Sequence, residues 1–257
     1  AAECARDVER RYDGKIGRWV VCALGKFGGR ELSASSDLDL MLVYEPEDES
    51  GVALATRFVQ RLISALTAPT EEGLLYEVDM QLRPSGRAGP VAVRFSSFAS
   101  YYLGEAWTWE HLALTRLRVV SGDQDLARRV QDQARMALAA KSADSSVRKD
   151  ALNMRRRMAE QRPAASHWDL KLTRGGLVDI EFLAQTEQVL AAGHDASVIR
   201  ASTIEALGRL SAAGRISAIE YETLREALIF QLSLQQALRI AVGDSFAPRT
   251  ACRPDGC

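Results

Sequence analysis

The spacing of apolar residues changes near residue 95. Before that point short apolar runs alternate with turns. After it apolar positions recur every three or four residues, the spacing of buried helix faces. Runs at 19–24, 38–44, 74–82 and 91–94 read as strands. Leu54, Phe58, Leu62, Ile63 and Leu66 predict a helix over 53–68. Segment 107–120 carries both signals. Further helices are predicted over 124–140, 145–161, 177–192, 201–213 and 217–240, punctuated by Gly193, Gly208, Gly214 and Gly243. The expected fold is α+β: a small mixed-sheet domain over 1–122, then an all-α helical bundle over 123–243. The tail over 244–257 has no periodicity and reads as disordered.

A chain of 257 residues with 47% hydrophobic and 26% charged residues is long enough for two packed units. Its net charge of -1 provides no global basic field for a long nucleic acid. No apolar stretch has membrane-spanning length, and none reads as a signal peptide. Cys4, Cys22, Cys252 and Cys257 show no metal spacing and read as reduced thiols, the usual state in a cytoplasmic protein. His111, His167 and His194 are scattered. The chain opens on Ala rather than Met, which reads as a piece of something longer.

The stretch GKFGGRELSASSDLDLMLVYE places two aspartates at the mouth of an apolar run. In a strand, residues i and i+2 share a face, so Asp37 and Asp39 point together while Leu38 and Leu40 point into a core. Like charges that close repel unless a cation or a shared proton relieves them. Mg²⁺, which takes carboxylate and phosphate oxygens, is the natural relief; a solvated edge strand is the plain alternative. Asp79 lies on the polar face of the run at 74–82. Three carboxylates on one sheet face could hold two ions.

The glycine stretch is neither a P-loop nor a dinucleotide fingerprint, since only seven residues separate Gly29 from Asp37. The second strand is therefore expected to return antiparallel, or after one helical turn at 30–33. A turn between strands and a phosphate-binding loop fit GKFGG equally well. In the phosphate reading a short helix starting at Gly28 and Gly29 aims its positive end at the anion. The expected phosphate-binding set is Lys26, Gly28, Gly29, Ser36 and Arg83, with Asp37, Asp39 and Asp79 as metal-binding and catalytic residues. Asp179 and Glu181 rank behind these as acids that could approach from the helical part. Glu110, Arg116 and Arg118 read equally as scaffold or as nucleotide contacts, and Arg155–Met158 as a solvated helix face.

Gly28-Gly29, Asp37-Leu38-Asp39 and the later Asp79 resemble the pattern of the nucleotidyltransferase superfamily that includes DNA polymerase β. Four blocks narrow the resemblance: GKFGGRELSASSDLDL, LYEVDMQLRPSGRAGPV, EAWTWEHLALTRLRVV and RGGLVDIEFLAQ. In this order they resemble the bacterial glutamine synthetase adenylyltransferases, whose two halves add AMP to and remove it from glutamine synthetase. The resemblance implies ATP and Mg²⁺, two ions, as substrate and cofactor. It also implies glutamine synthetase as protein substrate, the PII signalling protein as regulator of the longer enzyme, and neither nucleic acid nor membrane as partner. Glu77 and the block from Glu105 to His111 resemble the adding half. The alternatives are phosphorolytic removal of AMP and a non-catalytic nucleotide-sensing module.

Overall fold

The structure, a computed structural model, describes residues 1–34, 36–71, 73 and 76–242. The tail read as disordered, with Gly243, Cys252 and Cys257, lies outside the described residues.

The first part runs α1 (Ala2–Tyr12), β1 (Arg18–Ala23), α2 (Gly25–Gly29), β2 (Leu38–Glu45) and α3 (Ser50–Leu66). It continues through β3 (Val78–Asp79), β4 (Ala92–Arg94), α4 (Phe95–Gly104), α5 (Thr108–Leu114) and β5 (Arg118–Gly122). Helices follow: α6 (Gln124–Lys141), α7 (Val147–Gln161), α8 (Leu177–Ala191), α9 (Thr203–Ala212) and α10 (Ala218–Val242). The α+β expectation holds.

The sheet is mixed and five-stranded, ordered β3-β2-β1-β5, with β4 also pairing β2. Strand β1 lies antiparallel to both β2 and β5; β3 and β4 lie parallel to successive stretches of β2. Alternation along β2 sends Leu38, Leu40, Leu42 and Tyr44 to one face, where they pack with Val8 of α1 and Leu54, Phe58 and Leu62 of α3. Met41 and Val43 face the other way. With Val20 and Cys22 they pack against Phe98 and Tyr102 of α4, Leu112 of α5, and Leu126 and Val130 of α6. That cluster continues to Val147 of α7 and Val189 of α8, so one core crosses the expected boundary after residue 122. Leu177, Leu207, Leu210 and Leu228 join α8, α9 and α10 in a third cluster.

Two local expectations are corrected. Within the run at 74–82 only Val78–Asp79 pairs as a strand, and Leu74 and Leu75 lie outside the described residues. The Asp79 carboxylate accepts the backbone N–H of Gln81 at 2.6 Å, which bends the chain out of the ladder. The helical turn expected at 30–33, or starting at Gly28–Gly29, lies instead at Gly25–Gly29. Arg30 stops it in the left-handed region at φ 60°. Helices α1 and α4 were not read from the sequence: α1 buries only Ala5 and Val8 on a largely charged helix, and α4 is rich in Ser, Phe and Tyr, middling helix formers.

Candidate active site

Residue parity on β2 decides where the acids point. Asp39 shares its face with Met41 and Val43, so Asp37 and Asp39 stand at the end of the face that α4, α5 and α6 cover. They open into a cavity of about 500 Å³ between the sheet and the helical part. Gly25, Lys26 and Ser36 join them on its floor; Trp109 of α5, Arg116 just after it, Met154 and Met158 of α7, Glu181, Phe182 and Gln185 of α8, with Lys171 and Arg239, form its walls.

Asp79 is level with Asp39 in the parallel β2–β3 register. Burial, then the charges of Asp79 and Asp37, pushes the Asp39 carboxyl up to about 6. Asp79 is turned toward Gln81, accepting both its backbone N–H and its side-chain amide at 3.1 Å. Among the described residues no three His, Cys, Asp or Glu side chains converge closely enough to hold one metal ion. The crowded Asp37–Asp39 pair nonetheless suits a hard dication that completes its shell with phosphate oxygens and water, and Asp79 is the adjacent third carboxylate.

The cations around the pair come from separate elements. Lys26 donates to Gln235 Oε1 at 2.9 Å, and Arg239 donates through Nη1 to Ser33 Oγ at 2.7 Å and the Ala34 carbonyl at 2.6 Å. Among the described residues Lys26, Lys171 and Arg239 form no ion pair, whereas Arg116 contacts Glu31 at 2.8 Å and Glu181 at 3.5 Å. Burial pulls the Lys26 ammonium down to about 8; Glu181 opposes the shift, and Arg239, Lys171 and Arg116 reinforce it.

The expected phosphate set is only partly gathered here. Lys26 and Ser36 line the cavity, but Gly28 and Gly29 are buried and do not line it. A Cβ on Gly28 would collide with the Arg116 carbonyl, so the pair serves close packing rather than a cradle. The glycine that meets the acids is Gly25, at φ 49°, where a side chain would strike the Asp39 carboxylate. Arg83 is corrected as well. It is buried, donates to the Pro90 and Gly89 carbonyls at 2.9 and 3.1 Å and to that of Met80, and clamps its own loop outside the cavity.

The remaining candidates divide. Glu181 reaches the cavity, while Asp179 pairs with Arg155 at 2.5 Å and accepts the Gly175 N–H. Arg118 donates to the Gly28 and Phe27 carbonyls at the end of α2. Glu110 accepts from Tyr101 and from the Trp107 N–H, and buried His111 sits between the Trp107 and Tyr102 carbonyls. Both are scaffold. Lys171, Gln235 and Arg239 had no motif; each is an ordinary polar residue until the fold gathers it.

The family described as glutamate-ammonia ligase adenylyltransferase matches residues 2–133. The chain belongs to this family. A second family, described as PII-uridylyltransferase, matches residues 115–245, mostly the helical part. The bifunctional glutamine synthetase adenylyltransferase/adenylyl-removing enzyme of Bradyrhizobium diazoefficiens is 43% identical over 242 residues, covering 90% of this chain and 24% of that protein. The enzymes of the same description from Rhodopseudomonas palustris and Rhizobium meliloti are each 42% identical, over 90% and 97% of this chain. The chain spans about a quarter of the length of these curated relatives.

Proposed function

We propose that this chain transfers AMP from ATP to a tyrosine of glutamine synthetase, as the adding unit of a longer cytoplasmic enzyme under PII control. One observation carries the chemistry: a crowded carboxylate pair shares a cavity with Lys26, Lys171 and Arg239, which form no ion pair among the described residues. Such a site suits a metal-bound triphosphate. Membership of the family and the block around Trp107 and Trp109 support the choice of reaction.

Asp37 and Asp39 would hold Mg²⁺, with Asp79 serving a second ion. When bound, the metal supplies positive charge to the triphosphate and lowers the proton affinity of the acceptor hydroxyl. Lys26 and Lys171 bind phosphate oxygens by charge-assisted hydrogen bonds. Trp109, Met154, Met158 and Phe182 provide the apolar wall for the adenine. The tyrosine hydroxyl, with an ordinary pKa of about 10, gives its proton to the Asp79 carboxylate as its oxygen attacks the α-phosphorus. The bond to the bridging oxygen breaks, and pyrophosphate leaves against the cationic wall.

The test is transfer of labelled AMP from ATP to unmodified glutamine synthetase, with Mg²⁺ and with chelator. Metal-dependent labelling is the expected result. ADP formed from adenylylated substrate and phosphate, without forward labelling, would assign the removing reaction instead. ATP binding with neither turnover would assign a sensing module.

A further inference from the structure

The last described helix returns to the mouth of β2. Three side chains on adjacent turns of α10 make the contact: Gln235 accepts from Lys26 Nζ at 2.9 Å, Gln236 accepts the Ala34 N–H at 3.0 Å, and Arg239 Nη1 reaches Ser33 Oγ, the Ala34 carbonyl and, at 3.4 Å, Ser36 Oγ. Ser36 directly precedes Asp37, and Lys26, Ser36 and Arg239 all line the cavity.

Every acceptor in this set is neutral, as Ser33 and Ser36 also bond each other at 3.0 Å. A neutral amide at position 239 could make the same tether. A guanidinium half-withdrawn from water with no carboxylate in contact among the described residues costs free energy, which an anion bound in the cavity would offset. Nε and Nη2 of Arg239 make no hydrogen bond among the described residues, leaving the side of the fork that matches phosphate oxygens without a partner.

We infer that Arg239 binds the polyphosphate arm of the nucleotide, holding Ser33, Ala34 and Ser36 with Nη1 and phosphate oxygens with the rest of its guanidinium. This rests on the nucleotidyl-transfer reading and adds to it. The β- and γ-phosphates carry most of the substrate's negative charge and gain more as pyrophosphate departs, so a fixed cation at this point favours departure. Gln235 completes the device by orienting Lys26 through a neutral bond that leaves the ammonium charge available. Helix α10 is thereby part of the site as well as of the bundle.

The test compares binding of ATP and of AMP, each with Mg²⁺, to the full chain and to Arg239→Ala by titration calorimetry. The expected result is ATP binding weaker by about tenfold or more, with AMP affinity changed by less than about twofold. Equal weakening of both ligands, or no change in either, would overturn the inference, because a tether that only shapes the site makes no distinction between them. Should Arg239→Ala fail to fold, Arg239→Gln keeps an amide donor for the tether, removes the charge, and must give the same separation. A wild-type chain that binds AMP but not ATP would overturn both this inference and the reading beneath it. ATP binding by the wild type with an unchanged ATP-to-AMP ratio in the variants would overturn only the role of Arg239.

Discussion

Two polar clusters lie at the cavity, one partly exposed and one buried, and they are built on opposite principles. At the mouth of β2, Asp37, Asp39 and Asp79 set like charges together, and Asp39 holds its proton up to about 6. A short distance away Arg116, 3% exposed, contacts Glu31, Glu181 and the Thr203 hydroxyl at 2.5 Å. Glu31 in turn accepts the Thr203 N–H at 2.6 Å where α9 begins. The second cluster is satisfied and ties the segments that follow α2 and α5 to α8 and α9. The first is frustrated within the free chain. Satisfied charges make a strut; frustrated ones await a ligand.

Neutralising one carboxylate breaks this contrast most sharply. Asp39→Asn or Asp37→Asn should lower AMP transfer by at least about a thousandfold, some 4 kcal/mol of barrier, in a folded protein. Near-normal turnover by either variant would remove the metal assignment. On the strut side, Arg116→Ala strands Glu31 and should destabilise the fold by about 3 kcal/mol, read as a lower urea midpoint. An unchanged midpoint would mean that the pairs carry no net stability.

The contrast also predicts opposite signs. Asp39 has its folded pKa raised, so the free chain binds an extra proton between about pH 4 and 6 and loses stability as pH rises through that window. Asp39→Asn should therefore stabilise the metal-free chain by roughly 1–2 kcal/mol at pH 7, and the gain should vanish below about pH 4. A destabilised Asn variant at pH 7 would contradict a frustrated site. The smallest effect belongs to Lys26. With its pKa pulled down to about 8, ATP affinity should fall by a few-fold, roughly 1 kcal/mol, as pH rises from 7 to 9. Lys26→Met should flatten that limb.

Much of the β2 mouth was legible in the chain because period-two alternation is local: Leu38 and Leu40 inward, Asp37 and Asp39 together. Asp79 was legible for the same reason, although its strand proved two residues long. The glycines were misread because the same residue type serves a phosphate cradle, a left-handed turn and a close helix contact. Only neighbours such as the Arg116 carbonyl distinguish these uses. Arg83 was misread because a guanidinium beside an acidic strand looks like a phosphate ligand until three carbonyls of its own loop are found around it.

The sequence by itself determined strands β1 and β2, the helical second half, the carboxylate pair and the family. These rest on short-range periodicity and spacing. The tertiary structure alone decided which cations face those carboxylates. Lys26, Lys171 and Arg239 lie far apart along the chain, and Arg239 reaches Ser33 across 206 residues. Nothing local marks such a meeting; it exists because the core running from β1 and β2 into α8, and the cluster joining α8 to α10, bring the last helix back over the first two strands.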